Sequence, residues 1–160
     1  MKDYDELWNQ YALEFNDKLE NKNNGDWEKL DEIEQEIAAL WKLAADMYSA
    51  GFDDFFLRWG YDCYSYAMRG IKRIATENSG LKKTDCNNVY KLFEEAYTKV
   101  FARFENDDRI KSYEDIIEYL TEEDEEILEK TYEIFDEKLG PLLCTRAYEF
   151  YCENLKKEVI

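Results

Sequence analysis

The sequence predicts an all-α protein, a compact single-domain bundle of about six to seven helices, on three observations. One proline and six glycines in 160 residues leave little of the turn chemistry that a many-stranded sheet requires. Hydrophobic residues make up 45% of the chain and include 13 Tyr, 9 Phe and 4 Trp, which is material for a core despite the 37% of charged residues. Apolar residues also recur at three- and four-residue spacing along most of the chain, and the length suits one domain spanning 1–160.

Each element follows from that spacing. Behind Asp3 as N-cap, Tyr4, Leu7, Trp8, Tyr11, Phe15 and Leu19 mark an amphipathic helix over residues 3–20, which stops in Asn21-Lys22-Asn23-Asn24-Gly25. Asp26 is placed to cap a second helix with an inner stripe of Leu30, Ile33, Ile37, Trp41, Ala44 and Tyr48 and an outer face that is acidic up to Glu36. Beyond Ala38 the polar face vanishes, since Ala39, Leu40, Leu43 and Met47 point away from the stripe and are apolar too; this half is expected to be central. Gly51 ends the helix, a short aromatic segment runs to Trp59, and residues 61–77 form a helix closed by Asn78-Ser79-Gly80. A long helix over about 86–104 has an aromatic seam, and a short one over 113–120 follows with Ile116, Ile117 and Leu120. Thr121 and Asp124 form a capping box for a helix over 122–138, Gly140-Pro141 breaks it, and Leu142, Leu143, Ala147, Phe150, Tyr151 and Leu155 carry the last helix.

Composition removes many functions. Histidine is absent, which takes away the commonest general base, the commonest metal ligand and every Ser-His or Cys-His pair, and with them the Glu-x-x-His ligands of di-iron carboxylate bundles. There is no Gly-rich phosphate loop and no nucleophile elbow, and Asp53-Asp54 lacks the surrounding spacing of a calcium loop. No catalytic residue, metal or cofactor is expected, and the protein is not expected to be an enzyme. The four cysteines have no CxxC or zinc-like spacing; only Cys144 and Cys152 share a helix face, and buried free thiols are expected. No apolar run approaches the roughly 18 residues of a membrane span and Met1 to Leu7 is acidic, so a cytoplasmic protein with nothing cleaved off and no membrane partner is expected.

The formal charge of −17 is concentrated. Residues 1–37 hold twelve acids against four bases and residues 105–138 fifteen against four, whereas 38–104 hold eight against ten. Such a surface repels nucleic acid and anionic membranes and attracts basic proteins. On the predicted helix 122–138, Glu122, Glu126, Glu129, Glu133 and Asp136 follow at intervals of four, three, four and three, opposite Ile127, Leu128, Ile134 and Phe135. At about 1.5 Å per residue they form a row roughly 21 Å long with neighbours about 5–6 Å apart, a spacing that costs a few tenths of a kcal/mol per pair. Charges spaced along a rod resemble the phosphate line of a nucleic acid, so the Lys/Arg surface of a DNA-binding protein can accept the row in place of DNA. Glu28 and Glu32, flanked by Asp31 and Glu36, extend the field if the two helices share a side. The other reading is that the acidity serves solubility.

At Ala50-Gly51-Phe52-Asp53-Asp54-Phe55-Phe56 a helix enters a Gly-aromatic-x-x-Phe-Phe turn and another helix follows. This resembles the bacterial DNA-mimic protein family, a domain of unknown function with a usual Gly-Gly-Phe-x-Gln-Phe-Phe motif. Ala50 stands in place of the first Gly and Asp54 in place of Gln. The likeness runs from about Trp27 to Tyr151, leaving 1–22 as an added N-terminal helix. It implies a helical fold and, after the family's namesake, occupation of the DNA-binding surface of a transcription regulator. Read from the residues themselves, Gly51 permits a sharp turn and Phe52, Phe55 and Phe56 plug the core beside Trp41 and Trp59; the alternative is a pocket floored by these rings with Asp53, Asp54 and Arg58 at its mouth. The expected function is an acidic protein-binding module, a DNA mimic directed at a basic DNA-binding protein. The alternative is an immunity-type or adaptor protein that binds through an aromatic patch.

Overall fold

The structure is a computed structural model that describes residues 3–49, 51–77 and 81–154. Among these residues there are helices and turns and no strand. The α-helices are α1 (Tyr4–Asp17), α2 (Glu32–Ser49), α3 (Phe52–Glu77), α4 (Leu81–Ala96), α5 (Glu122–Ile134) and α6 (Gly140–Ala147). A kink at Gly60 divides α3 into two rods. Short 3₁₀ segments at Trp27–Lys29, Ala102–Phe104 and Tyr113–Tyr119 serve as connectors. The expected stop at Asn78-Ser79-Gly80, and Ala50 and Leu155, lie outside the described residues.

Helix α2 is the centre of the bundle, packed against α1 on one side and α3 on the other. Its second half is buried almost all round, with Ala38, Ala39, Leu40, Leu43 and Met47 within a per cent or so of complete burial. Two charged residues are buried there as well, and periodicity gave no sign of them. The Lys42 ammonium lies 2.9 Å from Glu20 and 3.4 Å from the centre of the Trp59 ring. Asp46 accepts a 2.8 Å hydrogen bond from the Trp59 indole and a 3.1 Å bond from Arg58, while burial pushes its carboxyl upward. Each buried charge thus has an opposite charge and a ring or indole beside it, as a buried ion must.

Several boundaries differ from those read in the sequence. Asp26 caps only the 3₁₀ turn Trp27–Lys29, and α2 starts after Asp31, whose carboxylate accepts from the Glu34 amide at 2.9 Å while the Glu34 carboxylate accepts from the Asp31 amide at 3.1 Å. The reciprocal pair satisfies two otherwise open amides and so fixes the helix start. Leu30 stays in the turn, buried with Leu19 and Ala38. α4 starts at Leu81 rather than near 86. Four helices end in a π-helical turn, at Lys18–Lys22, Tyr97–Phe101, Phe135–Leu139 and Tyr148–Asn154. The wider turn moves the apolar stripe without breaking the helix, which a strict 3.6-residue period does not reveal. Gly140 is the first residue of α6 with φ −58°, and the larger departure from helical dihedrals is at Leu139, with φ −110° and ψ −25°.

Two glycines set the architecture around the aromatic core. Gly51, at φ +116°, donates to the Asp46 carbonyl at 2.9 Å and turns the chain from α2 into α3. Gly60 has φ +78° and ψ −160°, a conformation that only glycine adopts freely, and a side chain there would strike the Tyr113 ring at 2.0 Å. The kink leaves Phe56 stacked on Phe101 at 4.2 Å and edge-on to Tyr61 at 4.9 Å.

Candidate interaction surface

Helix α5 is tied to the body at its start. Thr121 accepts from the Asp124 amide at 3.1 Å and the Thr121 amide donates to the Asp124 carboxylate at 2.8 Å. Asp124 is buried and ion-paired on both oxygens to Arg103, at 2.9 Å through Nη1 and by a short second contact. Arg103 holds this carboxyl below the usual carboxylate range. Further along, Leu128 and Thr131 face inward, and Phe135 packs against Phe93 at 5.5 Å and Tyr48 at 5.8 Å. One face is therefore fixed by burial, and the other is left to solvent.

That outer face carries Glu122, Glu126, Glu129 and Glu133, all exposed, and Asp136, exposed on the π-helical turn that follows α5. Glu123, Glu125 and Glu137 are exposed beside them, and Lys130 is an exposed cation in their midst. The ridge is thus broader than the single row read in the sequence.

The second acidic stretch is divided. Glu28 is exposed on the 3₁₀ turn. Glu32 is 63% exposed but lies 3.2 Å from Arg73 and 3.6 Å from Arg69. Glu36, expected on an acidic outer face, is completely buried: it accepts from Arg69 at 2.6 Å, from Arg73 at 2.7 and 2.8 Å, and from the Tyr151 hydroxyl at 2.8 Å. Glu36 is buried with its charge because α3 brings two guanidiniums, Arg69 and Arg73, against this face of α2. The other end of α2 meets the end of α5 through Tyr48 and Phe135. Glu32 lies sixteen residues back along α2 from Tyr48, about 24 Å from that contact.

In the motif, Phe52, Phe55 and Phe56 are fully buried, so they do not floor an open pocket. Phe52 lies 5.1 Å from Phe93 and 5.8 Å from Phe101. Trp59 and Trp41 both pack against this core, Trp41 also donating to Asn9 on α1 at 2.8 Å. Asp53 and Asp54 are half-buried, and burial pushes the Asp53 carboxyl upward. Among the described residues no group of three or more His, Cys, Asp or Glu is placed to hold a metal ion, and no helix is long and apolar enough to cross a membrane. Cys63, Cys86, Cys144 and Cys152 are not joined in disulfides, and the first three are buried.

A cleft of about 690 Å³ opens between the tail of α4 and the start of α5, lined by Lys99, Arg103, Phe104, Arg109, Tyr119 and Ile127 among others. Its cations come from separate turns and a loop, so no spacing rule gathers them.

No curated protein and no solved structure matches the chain significantly. A family model described as DMP19-like protein matches residues 28–148, close to the stretch over which the resemblance was read and covering most of the chain. With α2 to α6 inside that match, the chain belongs to the DMP19-like protein family.

Proposed function

We propose that this protein is a DNA mimic that occupies the DNA-binding surface of a basic protein, a transcription regulator being the type of partner that the family suggests, and that it does so without catalysis and without binding nucleic acid or membrane itself. The observation that carries the reading is the exposed ridge of α5 and its following turn. From Glu122 to Glu137 the exposed carboxylates less Lys130 amount to seven net formal charges over about 22 Å, or roughly one per 3 Å. A single DNA strand carries one per about 3.4 Å of axis. The ridge therefore matches one phosphate strand in charge density rather than a whole duplex, and the buried Asp124–Arg103 pair ties the start of α5 to the body. DMP19-like membership supports the same reading.

The test uses the whole chain as bait in bacterial lysate, eluted in salt steps, beside a variant carrying Glu122→Lys, Glu126→Lys, Glu129→Lys and Glu133→Lys. A DNA-binding protein released at moderate salt from the native bait and missing from the variant is the expected result, because counter-charge contacts weaken steeply with ionic strength. Retention of the same protein by both baits would refute the role of the ridge and favour an aromatic contact surface.

A further inference from the structure

We infer that the cleft beside the ridge binds a small organic oxyanion, a phosphate or carboxylate on a flat apolar body. Its donors are already partly engaged within the protein. Arg109 lies 4.1 Å over the Tyr119 ring and is held through Nε and Nη2 by Asp107, at 3.0 and 2.7 Å. Arg103 lies 4.5 Å over the Phe104 ring and is held through Nη1 and Nη2 by Asp124. Each guanidinium is thereby held over an aromatic ring by a carboxylate of the protein.

A guanidinium has five N–H donors. Asp107 uses one edge of Arg109 and leaves both donors of its Nη1, and Asp124 leaves Nε of Arg103. The carboxylate oxygens that hold them are already engaged, with Asp124 also accepting from the Thr121 amide. Donor capacity is in surplus in the cleft, so the complementary group is an acceptor, and a charged one bonds about twice as strongly as a neutral one. Lys99 adds a third cation, 2.6 Å from Glu95 on the exposed face of the same helix, and Lys130 lines an adjoining groove of about 180 Å³ that shares Lys99 and Ile127 with the cleft. Glu123 stands at the wall and the surrounding ridge is acidic, so recognition operates at contact distance and not by long-range attraction. The volume is that of small-ligand sites, and the half-buried Tyr119 and Ile127 give the cleft an apolar wall, with Phe104 buried behind Arg103.

This inference does not depend on the mimic reading, and its test needs no protein partner. The full chain is titrated with phenyl phosphate, and with benzamide as the uncharged control, by calorimetry and by NMR of the arginine Nε–H groups. Saturable binding of phenyl phosphate that moves the Arg103 and Arg109 signals, with no saturation by benzamide, is expected. Arg109 is 57% exposed, so Arg109→Gln should keep its unfolding midpoint and weaken phenyl phosphate by about ten-fold, the worth of one charge-assisted bond. Lys99→Gln, also at an exposed position, should weaken it several-fold and provides the same comparison if Arg109→Gln does not fold. Absence of saturation with the native chain, or equal affinity in the native protein and the folded variants, would overturn the inference.

Discussion

Glu36 and Glu32 face the same two guanidiniums, Arg69 and Arg73, yet one carboxylate is fully buried and the other 63% exposed. Replacing Glu36 by Gln keeps the shape and removes the charge. Removing one member of a buried ion pair costs about 3–5 kcal/mol, but Arg69 and Arg73 are about a third exposed and water compensates them in part, so a loss of about 2–3 kcal/mol is expected. Glu32→Gln removes a solvent-screened pair and should cost less than about 1 kcal/mol. With a urea slope of about 2 kcal/mol per molar, Glu36→Gln should lower the midpoint by about 1–1.5 M and Glu32→Gln by less than about 0.5 M, at unchanged slope. Equal midpoints for the two variants would refute the claim that burial, and not proximity, decides what these carboxylates contribute.

Gly60→Ala adds a side chain where φ is +78° and the Tyr113 ring is 2.0 Å away. Backbone strain and overpacking together should cost about 2–4 kcal/mol in thermal or urea unfolding, and the same substitution made in a Tyr113→Ala background should cost only the strain part; an unchanged midpoint for the single variant would refute this. At high pH, burial raises the hydroxyls of Tyr11 and Tyr61 from 10 to about 12. The folded form keeps these protons while the unfolded chain loses them above pH 10, so stability should be full below pH 10 and fall as pH rises from 10 through 12. Urea midpoints at pH 9 and 11 check this, and a Tyr11→Phe variant should lose part of the slope; a flat profile would refute it.

The all-helical fold was legible because the apolar spacing of α1, the loss of a polar face after Ala38 and the Thr121–Asp124 capping box are local signals. The Gly51 and Gly140 punctuation was read alike in the sequence, yet only Gly51 has positive φ, because Gly140 continues the helical path after a π-helical turn. Of the candidate surface, the exposure of Glu122 to Glu133 follows from one helix and its apolar side. The fate of Glu36 depends on Arg69 and Arg73, more than thirty residues away in sequence, and the cleft on Lys99, Arg109 and Tyr119 from three elements. Such long-range pairings leave no periodic trace.

Helix α1 lies outside the residues matched by the family model, yet Trp8 on it is only 2% exposed, Tyr11 donates to the Tyr151 carbonyl at 3.3 Å, and Glu20 on the turn after it supplies the counter-charge to buried Lys42. The limits of kinship and the limits of the cooperative unit therefore do not coincide. A fragment cut to residues 28–148 would bare the wall of α2 that Trp8 covers and leave an ammonium without its anion beneath it. Expression work guided by homology alone would then be studying a partly opened core, and any stickiness it displayed would belong to the cut.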